Sequence, residues 1–196
     1  MVYEACVVKT CRSAAPAGVY DLLAAASIPC AVTVTSRSRE TTAAGLLWRL
    51  EMRPVGLQVL PTTEAELCCA IRCVLRALAA LHAHGYVHRD VRWPNVLSLD
   101  SGQWLLIDFE LAGATGAPVP EGRICCELVS PEARPTGALY TAADDVWQVG
   151  RLMQMAEELV LSREAEAFTA LLTAAREQRP SASEALLLPW LADEPV

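Results

Sequence analysis

Along residues 63–84 apolar side chains recur at spacings of four, three, four and three: Leu67, Ile71, Val74, Leu78 and Leu81. That is the period of one helix face. Thr63 with Glu66 makes a capping box at its start, and His84-Gly85 a stop at its end. Residues 142–161 repeat the pattern at Val146, Val149, Met153, Ala156 and Val160, capped by Thr141 and Asp144. Residues 164–177 predict a third helix. Ser181 with Glu184 caps a short fourth, stopped by Pro189. A shorter helix is predicted over residues 18–27. Short apolar runs predict strands at Ala5–Lys9, Ala31–Thr35, Leu46–Met52, Val96–Leu99 and the run ending in Leu105-Leu106-Ile107. Arg37–Thr42 reads as a polar turn, and Asp100-Ser101-Gly102-Gln103 as the tight turn of a hairpin.

Composition narrows this to a folded chain. Its 196 residues suit one domain, and 53% hydrophobic with 20% charged residues suits a packed core. A net charge of −7 with no basic block argues against nucleic-acid binding. No apolar run is long enough to predict membrane insertion. Met1-Val2-Tyr3-Glu4-Ala5-Cys6 lacks the basic and apolar regions of a signal peptide, so an intracellular protein, cytoplasmic or nuclear, is expected. None of the eight cysteines forms a Cys-x-x-Cys pair, and the histidines are not spaced with them like zinc ligands. They read as free thiols in a reducing compartment, with redox sensing at Cys125-Cys126 as the alternative. Oligomeric state is not legible.

The candidate chemistry lies in His88-Arg89-Asp90-Val91-Arg92-Trp93-Pro94-Asn95. A carboxylate followed five residues later by an amide supplies a proton acceptor and a magnesium ligand from one loop. The predicted hairpin that follows can return Asp108 to the side of Asn95, where both oxygens suit a hard cation. The plainer alternative is a loop Asp capping local amides, with Asn95 and Asp108 as turn and strand-end residues.

Four further stretches occur in order: Asp108-Phe109-Glu110, Ser130-Pro131-Glu132, Asp145-Val146-Trp147-Gln148-Val149-Gly150, and Gln178-Arg179-Pro180. Together with the Asp90 loop they resemble the motifs of the protein kinase superfamily. The wording of the loop, with Met52-Arg53-Pro54-Val55-Gly56 upstream, is similar to the kinase-like domains of Crinkler effectors.

The resemblance implies an α+β fold, with residues 1–56 as a reduced, β-rich N-lobe and hinge and residues 57–196 as a helical C-lobe. It implies ATP and magnesium, with Asp90, Arg92 and Asn95 as catalytic residues and Asn95 and Asp108 as metal ligands. Lys9, Met52, Arg53, Val55, Leu97 and Asp108 would hold the nucleotide. A lone lysine at a strand end is also what any exposed strand shows. Glu132 and Arg179 would form a buried ion pair; His88, Phe109 and Asp145 would be structural. A protein substrate or partner is implied. Arg89 would pair with Glu121 or Glu127, because Thr115 is the one hydroxyl side chain between Asp108 and Ser130.

Three departures count against full activity. Glu110 stands where the family has a glycine that lets the segment turn. Cys125 stands where Ser/Thr kinases carry a threonine. Only eight residues precede Lys9, none of them glycine, so a Gly-rich loop is expected to be lacking. The helix over 18–27 also offers no evident glutamate for Lys9; Val19 falls near that place, and Asp21 is the nearest carboxylate. Two alternatives therefore stand beside a protein kinase: a pseudokinase serving as a binding module, and a small-molecule phosphotransferase.

Overall fold

The computed structural model describes residues 6–11, 17–42, 45–118, 129–135, 137–156 and 158–192. Three strands, β1 (Val7–Cys11), β2 (Thr33–Thr42) and β3 (Gly45–Arg53), make an antiparallel sheet in the order β1-β3-β2. Helix α1 (Ala17–Ala24) buries Val19, Tyr20 and Leu23 in the same core as Val34 and Leu50 of the sheet. Lys9 lies mid-strand, opposite Leu50, and not at the strand end that the sequence suggested.

The polar stretch Arg37–Thr42 is strand and not turn: Arg37 pairs with Leu50 and Thr42 with Gly45. Backbone pairing holds it, and Arg37 and Arg39 lie 5.4 and 4.3 Å from the Trp48 ring centroid. An exposed strand stabilised this way carries no apolar alternation to reveal it.

The chain then runs along β5 (Val96–Ser98), where Leu57 bridges Ser98. A Cβ at Gly56 would sit 2.8 Å from the Ser98 carbonyl oxygen, so only glycine fits this approach without displacement. Helix α2 (Glu64–Ala83) forms the centre of the molecule. Leu67, Ile71, Val74, Leu78 and Leu81 are all fully buried, each contributing about 1.5–3 kcal/mol. Ala70, Leu75 and Ala77 are buried as well, so the covered face is wider than the predicted stripe. Thr63 caps the helix through the Glu66 N–H, but the Glu66 carboxylate reaches Thr62 (2.7 and 2.8 Å), leaving half of the expected box.

Three short antiparallel pairs follow: β4 (Tyr86–Val87) with β7 (Gly113–Ala114), β5 with β6 (Trp104–Leu106), and β8 (Ala117–Pro118) with β9 (Leu139–Tyr140). Helices α3 (Ala142–Gln154), α4 (Arg163–Leu172), α5 (Ala182–Ala185) and α6 (Pro189–Ala192) complete the fold. The capping boxes of α3 and α5 form as the sequence predicts. Helix α3 stops at Gln154, short of the predicted 161: Ala156, Leu159 and Leu161 pack on the core from outside a helix, and Val160 is 95% exposed. Apolar spacing continues past the helix because a packed loop needs apolar residues too. Helix α4 likewise stops at Leu172, followed by a 3-10 turn at Arg176–Gln178, and Pro189 opens α6 instead of merely ending α5. Gly150 lets α3 and α4 meet, since a Cβ there would lie 2.6 Å from Thr173. Arg179 donates to both Glu132 oxygens at 2.8 Å, forming the expected ion pair.

Several sequence expectations fall outside the described residues: Ala5, the chain before Cys6 where a Gly-rich loop was sought, Glu121 and Glu127 as partners of Arg89, and Cys125-Cys126. Cys6, Cys30, Cys68, Cys69 and Cys73 are free thiols.

Candidate active site

The segment from His88 to Trp93 is laid out along one face of α3. Asp145, fully buried, accepts the backbone N–H of His88 (2.7 Å) and of Arg89 (2.8 Å), together with Tyr140 Oη (3.0 Å) and His82 Nε2 (2.9 Å). Burial pushes its pKa up, but the hydrogen bond from His82 and the nearby histidines outweigh this and hold it below the ordinary 3.8. Gln148, one turn on, accepts the Val91 N–H at 2.9 Å and donates to the Arg89 carbonyl at 3.1 Å. One turn further, the Leu152 carbonyl accepts Trp93 Nε1 at 3.1 Å. Positions 145, 148 and 152 lie on one helical face. Sequence reading named Asp145 as an anchor and passed over Gln148. A glutamine three positions after the aspartate, and so on the same helical face, was the available signal.

Within this frame Asn95 Nδ2 donates to Asp90 Oδ2 at 2.7 Å and to the Asp90 carbonyl at 2.8 Å. Arg92 Nε donates to the Asp90 carboxylate at 3.1–3.2 Å. The β5–β6 hairpin, with Val96 opposite Leu106, returns the chain so that Ile107 N–H donates to the Asn95 carbonyl at 2.9 Å. Asp108 follows in the left-handed region (φ 63°). His88 Nε2–H donates to the Ile107 carbonyl (3.0 Å), and its Nδ1 accepts the Asp90 N–H (3.2 Å). Burial lowers the His88 pKa despite Asp145, so the ring stays neutral and this tautomer is the one the network accommodates. Phe109 packs edge-on against it at 4.8 Å.

Lys9 reaches this site from β1. Its Nζ lies 2.8 Å from Asp108 Oδ1 and 3.0 Å from Glu110 Oε1. Burial opposes the ammonium, but the hydrogen bonds to Asp108 and Glu110 outweigh it and hold its pKa above the ordinary 10.5. Glu110 carries no backbone strain. The positive φ is at Asp108, and Phe109–Leu111 form a 3-10 turn, so no glycine is required at position 110.

Beside Lys9 and Asp108 lies a cavity of about 190 Å³, walled by Val7, Val8, Val32, Met52, Pro54, Leu97 and Ile107. Whole-ligand sites run to about 300–1,000 Å³, so it has room for the ring end of a nucleotide and not for its phosphates. It is an apolar slot with the Lys9 ammonium and the Asp108 carboxylate on its lining, the ammonium being the group that attracts an anion. Of the residues expected here, Lys9, Met52, Leu97 and Asp108 line the cavity, whereas Pro54 does so in place of Arg53 and Val55.

The sequence model of the protein kinase domain matches residues 43–165, more than half of the chain. The chain belongs to the protein kinase family. Among curated relatives, this kinase-family chain is 33% identical over 176 residues to Crinkler effector protein 8 of Phytophthora infestans, covering 87% of the chain and 28% of that protein. It is 32% identical over 106 residues to the probable cyclin-dependent kinase 10 of Dictyostelium discoideum, covering 53% of the chain and 28% of that protein. With human cyclin-dependent kinase 10 the identity is 33% over 96 residues, covering 47% of the chain and 27% of that protein. The chain thus spans little more than a quarter of the length of these relatives. Protein kinases in general use ATP with magnesium, and the family acts on proteins. Among the described residues, no helix is long and apolar enough to cross a membrane.

Proposed function

We propose that this chain is a phosphotransferase that moves the γ-phosphate of Mg-ATP to a hydroxyl of a protein. The observation that carries the reading is the pairing of Asp90 with Asn95 at 2.7 Å, in a loop whose neighbouring hairpin brings up Asp108 and, through it, Lys9. An inert scaffold has no chemical need of all four groups together.

In this reading Asp90 orients the acceptor hydroxyl and takes its proton late. Asn95 spends its amide nitrogen on Asp90, which leaves its Oδ1 for the metal beside Asp108. Lys9 meets the α- and β-phosphates, and Arg92 exchanges its resting contact with Asp90 for the γ-phosphate. Magnesium, when bound, would neutralise charge on the phosphate oxygens. Met52, Pro54, Leu97 and the valines of β1 enclose the base. Residues 1–56 then form the nucleotide-covering lobe and hinge, and residues 57–196 the catalytic lobe. Free thiols and ATP dependence suit a reducing intracellular compartment.

The test is a thermal-shift titration with Mg-ATP, paired with phosphate transfer to a Ser/Thr/Tyr peptide library. Wild type is expected to be stabilised and to transfer phosphate, and Asp108→Ala to lose the magnesium-dependent part. Stabilisation without any transfer would favour the pseudokinase. Transfer to small molecules alone would favour the third reading. An unchanged Mg-ATP response in Asp108→Ala would remove Asp108 from the site.

A further inference from the structure

The strand lysine of a kinase acts only when something holds it against the phosphates, and in the family that is a glutamate on the helix beside the sheet. Here α1 supplies none. Its sequence, Ala-Gly-Val-Tyr-Asp-Leu-Leu-Ala, has one acid, Asp21, which is 61% exposed and pairs with Arg37 at 3.0 Å. Val19, the neighbour that falls nearest the expected place, is fully buried.

Lys9 instead meets two carboxylates from one turn of chain. The left-handed conformation at Asp108 starts the 3-10 turn, whose Glu110 N–H approaches Asp108 Oδ1 at 3.4 Å. Phe109 turns inward to His88, while the side chains on either side of it both reach Lys9 Nζ. A cation on the Asp108 carboxylate would compete with the Lys9 ammonium for its charge. Glu110 can keep its contact with Lys9.

We propose that Glu110 replaces the missing helix glutamate and is the positioning residue that holds Lys9 for the nucleotide's phosphates. The inference rests on the phosphotransferase reading above. It gives the departure from glycine a use, and it makes the lysine clamp continuous with the metal-binding turn, independent of where α1 lies.

Calorimetry with Mg-ATP and with adenosine, on wild type, Glu110→Gln and Asp21→Asn, tests it. Glu110→Gln is expected to weaken Mg-ATP about tenfold, the scale of one charged hydrogen bond. Adenosine, which has no phosphates, should bind the variant as it binds wild type. Asp21→Asn should change neither ligand. An unchanged Mg-ATP affinity or an equal loss for adenosine in Glu110→Gln each overturns the proposal, as does a loss of Mg-ATP binding in Asp21→Asn. If wild type binds no Mg-ATP, the phosphotransferase reading fails and the proposal with it. If wild type binds and Glu110→Gln binds equally, only the proposal fails.

Discussion

Gln148 grips the chain on both sides of Asp90, accepting the Val91 N–H at 2.9 Å and donating to the Arg89 carbonyl at 3.1 Å. All of these groups are buried. Gln148→Ala strands a donor and an acceptor, so it should cost about 1–3 kcal/mol of stability and release the carboxylate it frames. Urea unfolding measures the first effect. A fall in transfer rate larger than any change in Mg-ATP affinity measures the second. A variant as stable and as fast as wild type would show that Asp145 alone holds the loop.

Asp90→Asn should leave folding and Mg-ATP affinity near wild type, because the Asn95 amide can still pair with the amide oxygen placed there. Phosphate transfer should nearly vanish. Single-turnover kinetics decides this; equal rates in variant and wild type would exclude Asp90 as the base.

Glu132 predicts an acid sensitivity. Burial alone would push its carboxyl up, but the hydrogen bonds from Arg179 hold it below the ordinary 4.5. A depressed folded pKa means the stabilisation is present above 4.5 and lost as pH falls below it. Asp145 acts in the same direction. Unfolding free energy should therefore hold down to about pH 5 and then decline. Glu132→Ala leaves the Arg179 side chain, 1% exposed, without its carboxylate. Because Glu132 itself is 30% exposed, the cost should fall at the low end of about 3–5 kcal/mol, and the acid decline should become shallower. An unchanged pH profile in the variant would assign the decline to other carboxylates.

Arg89 donates to the carbonyls of Ala114 and Ala117 at 3.4 and 3.3 Å, in space that a side chain at Gly113 would fill. Thr115 sits exposed in the turn between β7 and β8. Among the described residues backbone carbonyls hold this arginine, and Thr115→Ala should keep wild-type transfer and stability, within about 0.5 kcal/mol. Stoichiometric phospho-Thr115 in active protein, with activity lost in the alanine variant, would reverse this.

The elements that the sequence made legible share a local cause. The loop around Asp90 and the hairpin leading to Asp108 follow from spacing and turn chemistry, and α2 from a sustained apolar period. What was missed depends on partners distant in sequence. The polar half of β2 is held by its ladder with β3 and by Trp48, so its own residues give no strand signal. The end of α3 was overrun because Leu159 and Leu161 are as apolar in a packed loop as in a helix. Glu110 looked like a loss of backbone freedom. Its contact with Lys9, about a hundred positions away, has no trace in local pattern.

The register of the β5–β6 hairpin has a bearing on how this chain tolerates change. Val96 faces Leu106 and Leu97 faces Leu105, so the spacing between Asn95 and Asp108 is set at the base of the hairpin. A slip of one residue would turn every side chain to the opposite face. The tip, Asp100 to Gln103, is exposed. Length can therefore be added there in either modest or generous amounts without altering the distance that matters, since closing a longer loop costs little. An epitope or fluorophore for following this protein belongs at Ser101-Gly102, while even a single-residue insertion between Asn95 and Leu97 would shift Asn95 relative to Asp108, the two groups proposed to share a metal.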